Sequence, residues 1–152
     1  MGFKTILVHA DTGRSAPARW KLSAELAARF DAHVVGLYVR RPFQAPAFTD
    51  AGPAMDSLYR TYENAVKADE ALATAAFRDL IGSQIIGGKG LSSEWRVADG
   101  LAEQVVAAYA RYADLVIIGQ TEPDAGATTT PADLAETVGM AGERPVLIVP
   151  HI

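Results

Sequence analysis

Asp114-Leu115-Val116-Ile117-Ile118-Gly119 is the stretch on which the fold turns. Its apolar core is continuous, mostly β-branched and too short for a helix, and it runs from a carboxylate to a glycine, so it reads as a strand buried on both faces. Downstream, a short helical pattern over residues 131–140 leads to Pro145-Val146-Leu147-Ile148-Val149-Pro150, a second strand of the same character. Upstream, residues 101–110 repeat at helical spacing. Farther back, Thr5-Ile6-Leu7-Val8 precedes a helical stretch over 16–30 carrying Leu22, Leu26 and Phe30. Residues 33–39 then precede a longer helix over 54–80, in which Leu58, Tyr62, Ala65, Leu72, Ala76 and Leu80 share a face. Glu94-Trp95-Arg96-Val97 is a weaker strand. Strands that alternate with helices and are apolar on both faces predict a doubly wound α/β fold. Five parallel strands lie between layers made by four helices, a three-layer sandwich joined by right-handed crossovers. A single domain over residues 1–152 suits the length.

In such sheets ligands sit beyond the carboxyl ends of the strands, where the winding reverses. Those ends fall at residues 9–13, 39–41, 97–100 and 119–131. The connection over residues 40–53 holds three prolines and two phenylalanines, Phe43 and Phe48, and reads as an irregular flap. The linker over 122–130, with its three threonines, reads as a polar loop.

Composition removes whole classes of function. Without cysteine there is no thiolate chemistry and no disulfide. A formal charge of -4 argues against nucleic acid, because affinity for a phosphate backbone is built from Lys and Arg. No apolar run reaches the roughly 18–20 residues of a membrane span. Ile6-Leu7-Val8 is too short for a signal-peptide core, which makes the cytoplasm the expected compartment.

Most motifs that would carry a specific chemistry are missing from the sequence. Gly87-Gly88-Lys89-Gly90 has the Gly-Lys of a phosphate loop but not its leading glycine or its trailing hydroxyl, and it follows a helix rather than a strand; it reads as a turn. Asp11-Thr12-Gly13-Arg14 is no dinucleotide fingerprint, and no nucleophile elbow of the G-x-S-x-G type occurs. The histidines His9, His33 and His151 lack metal-ligand spacing, so no metal is expected. His9 ends the first strand and reads as a polar strand-end residue rather than a base. Asp11 has two readings, a turn or cap residue before the first helix and an acceptor for a sugar or base. Trp20 and Trp95 read as packing residues, and Arg40-Arg41 as a solvated rim. With no nucleophile and base in view, no catalytic residue is assigned.

The opening Phe3-Lys4-Thr5-Ile6-Leu7-Val8 ending in Asp11, the D-L-V-I-I-G strand and the Arg144-Pro145-Val146-Leu147-Ile148-Val149 ending together resemble the universal stress protein family, over nearly the whole chain. The resemblance implies strand order 3-2-1-4-5 and a homodimer formed through the last strand. It also implies a stress-response role exerted through an unidentified protein partner or a small ligand. By position it places Asp11, Val39, Ile118 and Gly119 around adenine and ribose. Family members that bind ATP carry G-x-x-G, nine residues, then G-[ST]. Here Gly119 fits, but Glu122, Ala132 and Asp133 stand at the other three positions.

Thr130-Pro131-Ala132-Asp133 reads as a helix start, with Thr130 as cap, Pro131 in first place and Asp133 turned onto the helix's own amides. Such an N-terminus attracts an external phosphate only while its donors are unpaired, and repulsion between like charges a few ångströms apart outweighs the dipole's attraction. The expectation is a protein without a tightly bound cofactor, its phosphate seat filled by Glu122 and Asp133, and an adenine nucleotide bound weakly at most. The alternative is an adenine-nucleotide sensor, for AMP or ATP, in which the flap and Arg40-Arg41 replace the lost loop.

Overall fold

In the computed structural model the described residues are 2–45, 52–86, 88–122, 131 and 133–150. The element order is β1 (Thr5–Ala10), α1 (Ala16–Phe30), β2 (His33–Arg40), α2 (Pro53–Phe77), a π-helical turn (Arg78–Gly82), β3 (Ile85–Ile86), β4 (Lys89–Gly90), β5 (Ser93–Asp99), α3 (Ala102–Ala110), β6 (Leu115–Gly119), α4 (Leu134–Gly142) and β7 (Val146–Val149). The main sheet runs β5-β2-β1-β6-β7, every pair parallel. Counting only this sheet's strands along the chain, that is the order 3-2-1-4-5 expected from the sequence. β3 and β4 form a separate antiparallel ribbon, turned at Gly88 with φ of 82°, where the sequence suggested only a turn.

Period-two alternation in β1 splits the interior. Ile6, Val8 and Ala10 enter one core with Trp20, Ala73, Phe77 and Ile117, while Leu7 enters the other with Leu37, Val106, Ile118 and Val138. α1 and α2 cover the first face, α3 and α4 the second. The two tryptophans are packing residues, as expected: Trp20 meets Phe77 edge-on at 5.5 Å, and Phe77 meets Trp95 at 5.0 Å. Gly36 of β2 lies under this cluster, and a Cβ there would come within 2.8 Å of both Phe77 and Trp95. The Asp114 carboxylate accepts the amides of Lys4 at 2.9 Å and Thr5 at 3.0 Å, which ties the entry of β6 to that of β1. Those bonds hold its carboxyl below the ordinary carboxylate range.

Two sequence readings need correcting. On α2 the buried positions are Val66, Ala73 and Phe77, while Leu58 and Leu72 are 42% and 65% exposed. The small Ala73 lets the helix approach the sheet closely, and that stripe wins over the leucine-bearing one. α4 begins at Leu134, not at Pro131: the Leu134 amide bonds the Pro131 carbonyl at 3.2 Å, so a turn precedes the helix. In the flap, Phe43 packs against Tyr59 and Tyr62, each at 5.5 Å, and the Tyr62 hydroxyl donates to the Arg41 carbonyl. Phe48 and most of the linker over 122–130 lie outside the described residues.

Candidate functional site

At the carboxyl ends of β1 and β6 the chain buries a charged network. α1 starts with Pro17 in its first turn, and its buried positions Ala16, Arg19, Trp20, Ser23, Ala24 and Ala27 follow the helical repeat. Arg19 is thus carried inside by the same periodicity that buries its neighbours, and it is 1% exposed. Its Nη1 lies 3.1 Å from Asp11 Oδ1 and donates to the His9 carbonyl at 2.7 Å, while Nη2 donates to Ser15 Oγ at 2.7 Å. Asp11 Oδ1 also accepts the Gly13 amide at 3.0 Å, closing the turn before α1. The turn-residue reading of Asp11 therefore describes what its Oδ1 does.

Gly119 ends β6 against this guanidinium. A Cβ there would lie 1.9 Å from Arg19 Nη2 and 2.6 Å from Ser15 Oγ, so only glycine fits. Val39 follows Tyr38, the register partner of Ala10, and so lies one residue before the end of β2, level with Asp11; it is half-buried. Ile118 is fully buried, its side chain in the core under α3 and α4. Of the four residues expected around adenine and ribose, Asp11 and Gly119 are thus joined through Arg19. Val39 stands level with Asp11, and the side chain of Ile118 is spent in the core.

His9 is 4% exposed, and its Nδ1 has no hydrogen-bond partner, lying 4.0 Å from Asp11 Oδ2. Burial lowers its pKa to about 4, against the pull of Asp11 and with a further push from Arg19. The imidazole is neutral at pH 7 and too weak a base to take a proton there. A second knot forms on the α2 side. Asp69 accepts from the Tyr38 hydroxyl at 2.7 Å and from Thr12, which pins α2 to the loop after β1; burial first, then Asp69, pushes the Tyr38 phenol up.

Glu122, just beyond β6, reaches back to the start of α1. Its Oε1 accepts the Arg14 amide at 2.5 Å and its Oε2 the Arg14 Nε at 3.2 Å, with the carboxylate side chain 13% exposed. Burial pushes this carboxyl up, but hydrogen bonds from Arg14 and from the Ser15 amide outweigh it and leave the group below its ordinary value. α1 has no acid of its own in its first turn, and Glu122 supplies one from a distant loop.

The matching expectation for Asp133 does not hold. It sits at the N-cap of α4, exposed, with φ of -104° and ψ of 12° instead of the extended backbone usual for a capping residue, and its side chain makes no capping bond. Arg40, at the end of β2, is paired with Asp99, through Nε to Oδ1 at 3.0 Å and through Nη2 to Oδ2 at 3.5 Å. Among the described residues no cluster of three or more His, Cys, Asp or Glu could hold a metal ion, and no helix is long and apolar enough to cross a membrane.

No family model matches the sequence, and no curated protein does. Solved structures do. The chain is similar to universal stress protein UspA from Lactobacillus plantarum at TM-score 0.69 and 19% identity, covering 98% of this chain and 99% of that one. It is similar to a universal stress protein in complex with cAMP at TM-score 0.59 and 18% identity, covering all of both chains. A universal stress protein family protein from Arabidopsis thaliana with AMP bound aligns at TM-score 0.54 and 13% identity, covering 97% of this chain and 90% of that one. At these identities the likeness establishes a shared α/β fold.

Proposed function

We propose that this chain is a non-catalytic protein of the universal stress type, resident in the cytoplasm, that acts in stress response as a homodimer. Its output is binding, to a protein partner or a small ligand, without tight ATP binding. The observation that carries the reading is Glu122 seated on the Arg14 amide at 2.5 Å. An anionic group already occupies a helix N-terminus at the carboxyl edge of the sheet, where a phosphate would otherwise be drawn. Any triphosphate entering there has to displace that carboxylate and then face its charge. Titration calorimetry with Mg-ATP is expected to show no dissociation constant in the micromolar range or below; a micromolar constant overturns the reading.

The adenosine end of the edge is less altered, and two of the structures it resembles hold cAMP and AMP. Those neighbours support a second reading, an adenine-nucleotide sensor with Asp11, Val39, Ile118 and Gly119 around adenine and ribose, in which the flap and Arg40-Arg41 replace the lost loop. It predicts that AMP, with its smaller charge, binds at least as well as ATP.

Dimerisation is supported by β7, which pairs with β6 along one edge only among the described residues. Ile148 is 50% exposed there, and Pro145 and Pro150 flank the strand. An open apolar edge favours pairing with another strand. Light scattering at micromolar concentration is expected to give twice the 16.1 kDa of one chain; a 16.1 kDa species alone refutes the dimer.

A further inference from the structure

The opposite end of the sheet carries a cavity of about 370 Å³, at the amino ends of β1, β2 and β5 and roofed by the last turn of α3. Leu7 and Val35 form its apolar floor and Tyr109 and Tyr112 its aromatic wall. A hydrogen-bonded chain crosses its rim. Glu94 Oε1 lies 3.0 Å from His33 Nε2, and its Oε2 accepts from Arg96 Nε at 2.7 Å. An ionised carboxylate only accepts, so Nε2 carries a proton toward it, while His33 Nδ1 lies 2.7 Å from Ser92 Oγ. Both Glu94 oxygens are engaged, and those bonds hold its carboxyl below the usual range.

Arg96 is gripped through Nε alone. Its two Nη groups hydrogen-bond to none of the described residues, and its side chain is 56% exposed. The rim therefore offers a planar pair of N–H donors, oriented from behind by Glu94, above an apolar and aromatic pocket. That is the geometry that pairs with a carboxylate in bidentate fashion. The volume lies at the lower end of the roughly 300–1,000 Å³ of small-molecule sites. We infer that this cavity is a second ligand site, which takes a small organic monocarboxylate with an aromatic or branched apolar body: the carboxylate on Arg96, the body between Tyr109 and the floor. The inference does not rest on the function proposed above, because Asp11 and Gly119 lie at the other end of the strands.

The test is a ¹H–¹⁵N titration of the full chain with phenylacetate, using uncharged phenylacetamide as control. Saturable shifts are expected at residues 5, 33, 94–96 and 109–113, with a dissociation constant of roughly 0.1–1 mM, in keeping with a ligand of few atoms. Phenylacetamide, and phenylacetate on Arg96→Met, are each expected to bind at least about tenfold more weakly, because the charge-assisted pair is lost. Tyr109→Ala, which leaves the rim intact, is expected to weaken binding through the apolar body. The site is refuted by the absence of saturable shifts up to about 10 mM, a generous excess over the expected constant. Equal binding of phenylacetamide, wild-type affinity in Arg96→Met, or shifts centred on Asp11 and Gly119 also refute it. A rim that only staples β5 to β2 gives one of these last results.

Discussion

Arg19→Met is expected to lower the free energy of unfolding by about 3–5 kcal/mol, the cost of removing one partner from a buried ion pair. The guanidinium is 1% exposed and holds Asp11, the His9 carbonyl and Ser15 at once. Methionine keeps the apolar stem and removes the outer guanidinium, so the loss reports chiefly the ion pair and hydrogen bonds made by Nη1 and Nη2. What remains is the Asp11 carboxylate, 7% exposed, stripped of its arginine. For a chain of this length the melting temperature should fall by roughly 6–20 °C. The double variant Asp11→Asn/Arg19→Met is expected to recover much of that loss, because a buried pair replaced by neutral groups is often close to neutral in stability. Asparagine keeps an oxygen to accept the Gly13 amide. Urea unfolding of the wild type, Asp11→Asn, Arg19→Met and the double variant decides the matter. A single variant within about 1 kcal/mol of wild type, or losses that merely add, shows that the two charges are not coupled.

How far this site was readable from the sequence follows from where its parts lie. The five strands announce themselves through short β-branched runs, and the ends of β1 and β6 mark Asp11 and Gly119 as neighbours of the ligand edge. Arg19 was also legible in principle. It falls in the stripe formed by Ala16, Trp20, Ala24 and Ala27, and an arginine on a buried helical face demands an acid, with Asp11 eight positions earlier. Glu122 was legible only as an acid where a glycine was expected. Its seat on Arg14 spans 108 residues of sequence and depends on the parallel sheet bringing the end of β6 beside the start of α1, which no local pattern encodes. Asp133 shows the converse. A clean capping signature fails although the later helix start puts Asp133 at the N-cap itself, since its backbone, at φ of -104° and ψ of 12°, is not the extended one from which a cap side chain reaches the first amides. On α2 two apolar stripes compete, and packing against the sheet selects the one built on Val66, Ala73 and Phe77 over the one with more leucines.

The network around Arg19 also fixes how the protein responds to acid, and His9 is its reporter. In the folded chain its pKa lies at about 4, whereas the unfolded chain has the ordinary value of 6.5. Above pH 6.5 both states hold a neutral imidazole and the full stability is present. Between pH 6.5 and 4 the unfolded state takes up a proton that the folded state refuses, so stability falls by about 1.4 kcal/mol per pH unit. The accumulated loss is about 3 kcal/mol, and the dependence levels off below pH 4, where the folded imidazole is protonated too. Asp114, Glu94 and Glu122 behave differently, because their folded pKa values are depressed below the carboxylate norm. Their stability is present above that norm and is lost only as pH falls through the lower folded values, which leaves the interval from pH 6.5 to 5 to His9. Urea unfolding at half-unit steps across that interval should show the wild type weakening steadily while His9→Gln stays nearly flat. If the two slopes coincide, His9 is protonated as easily inside the fold as outside it, and the pocket beside Asp11 and Arg19 is wetter and less isolated than its burial indicates.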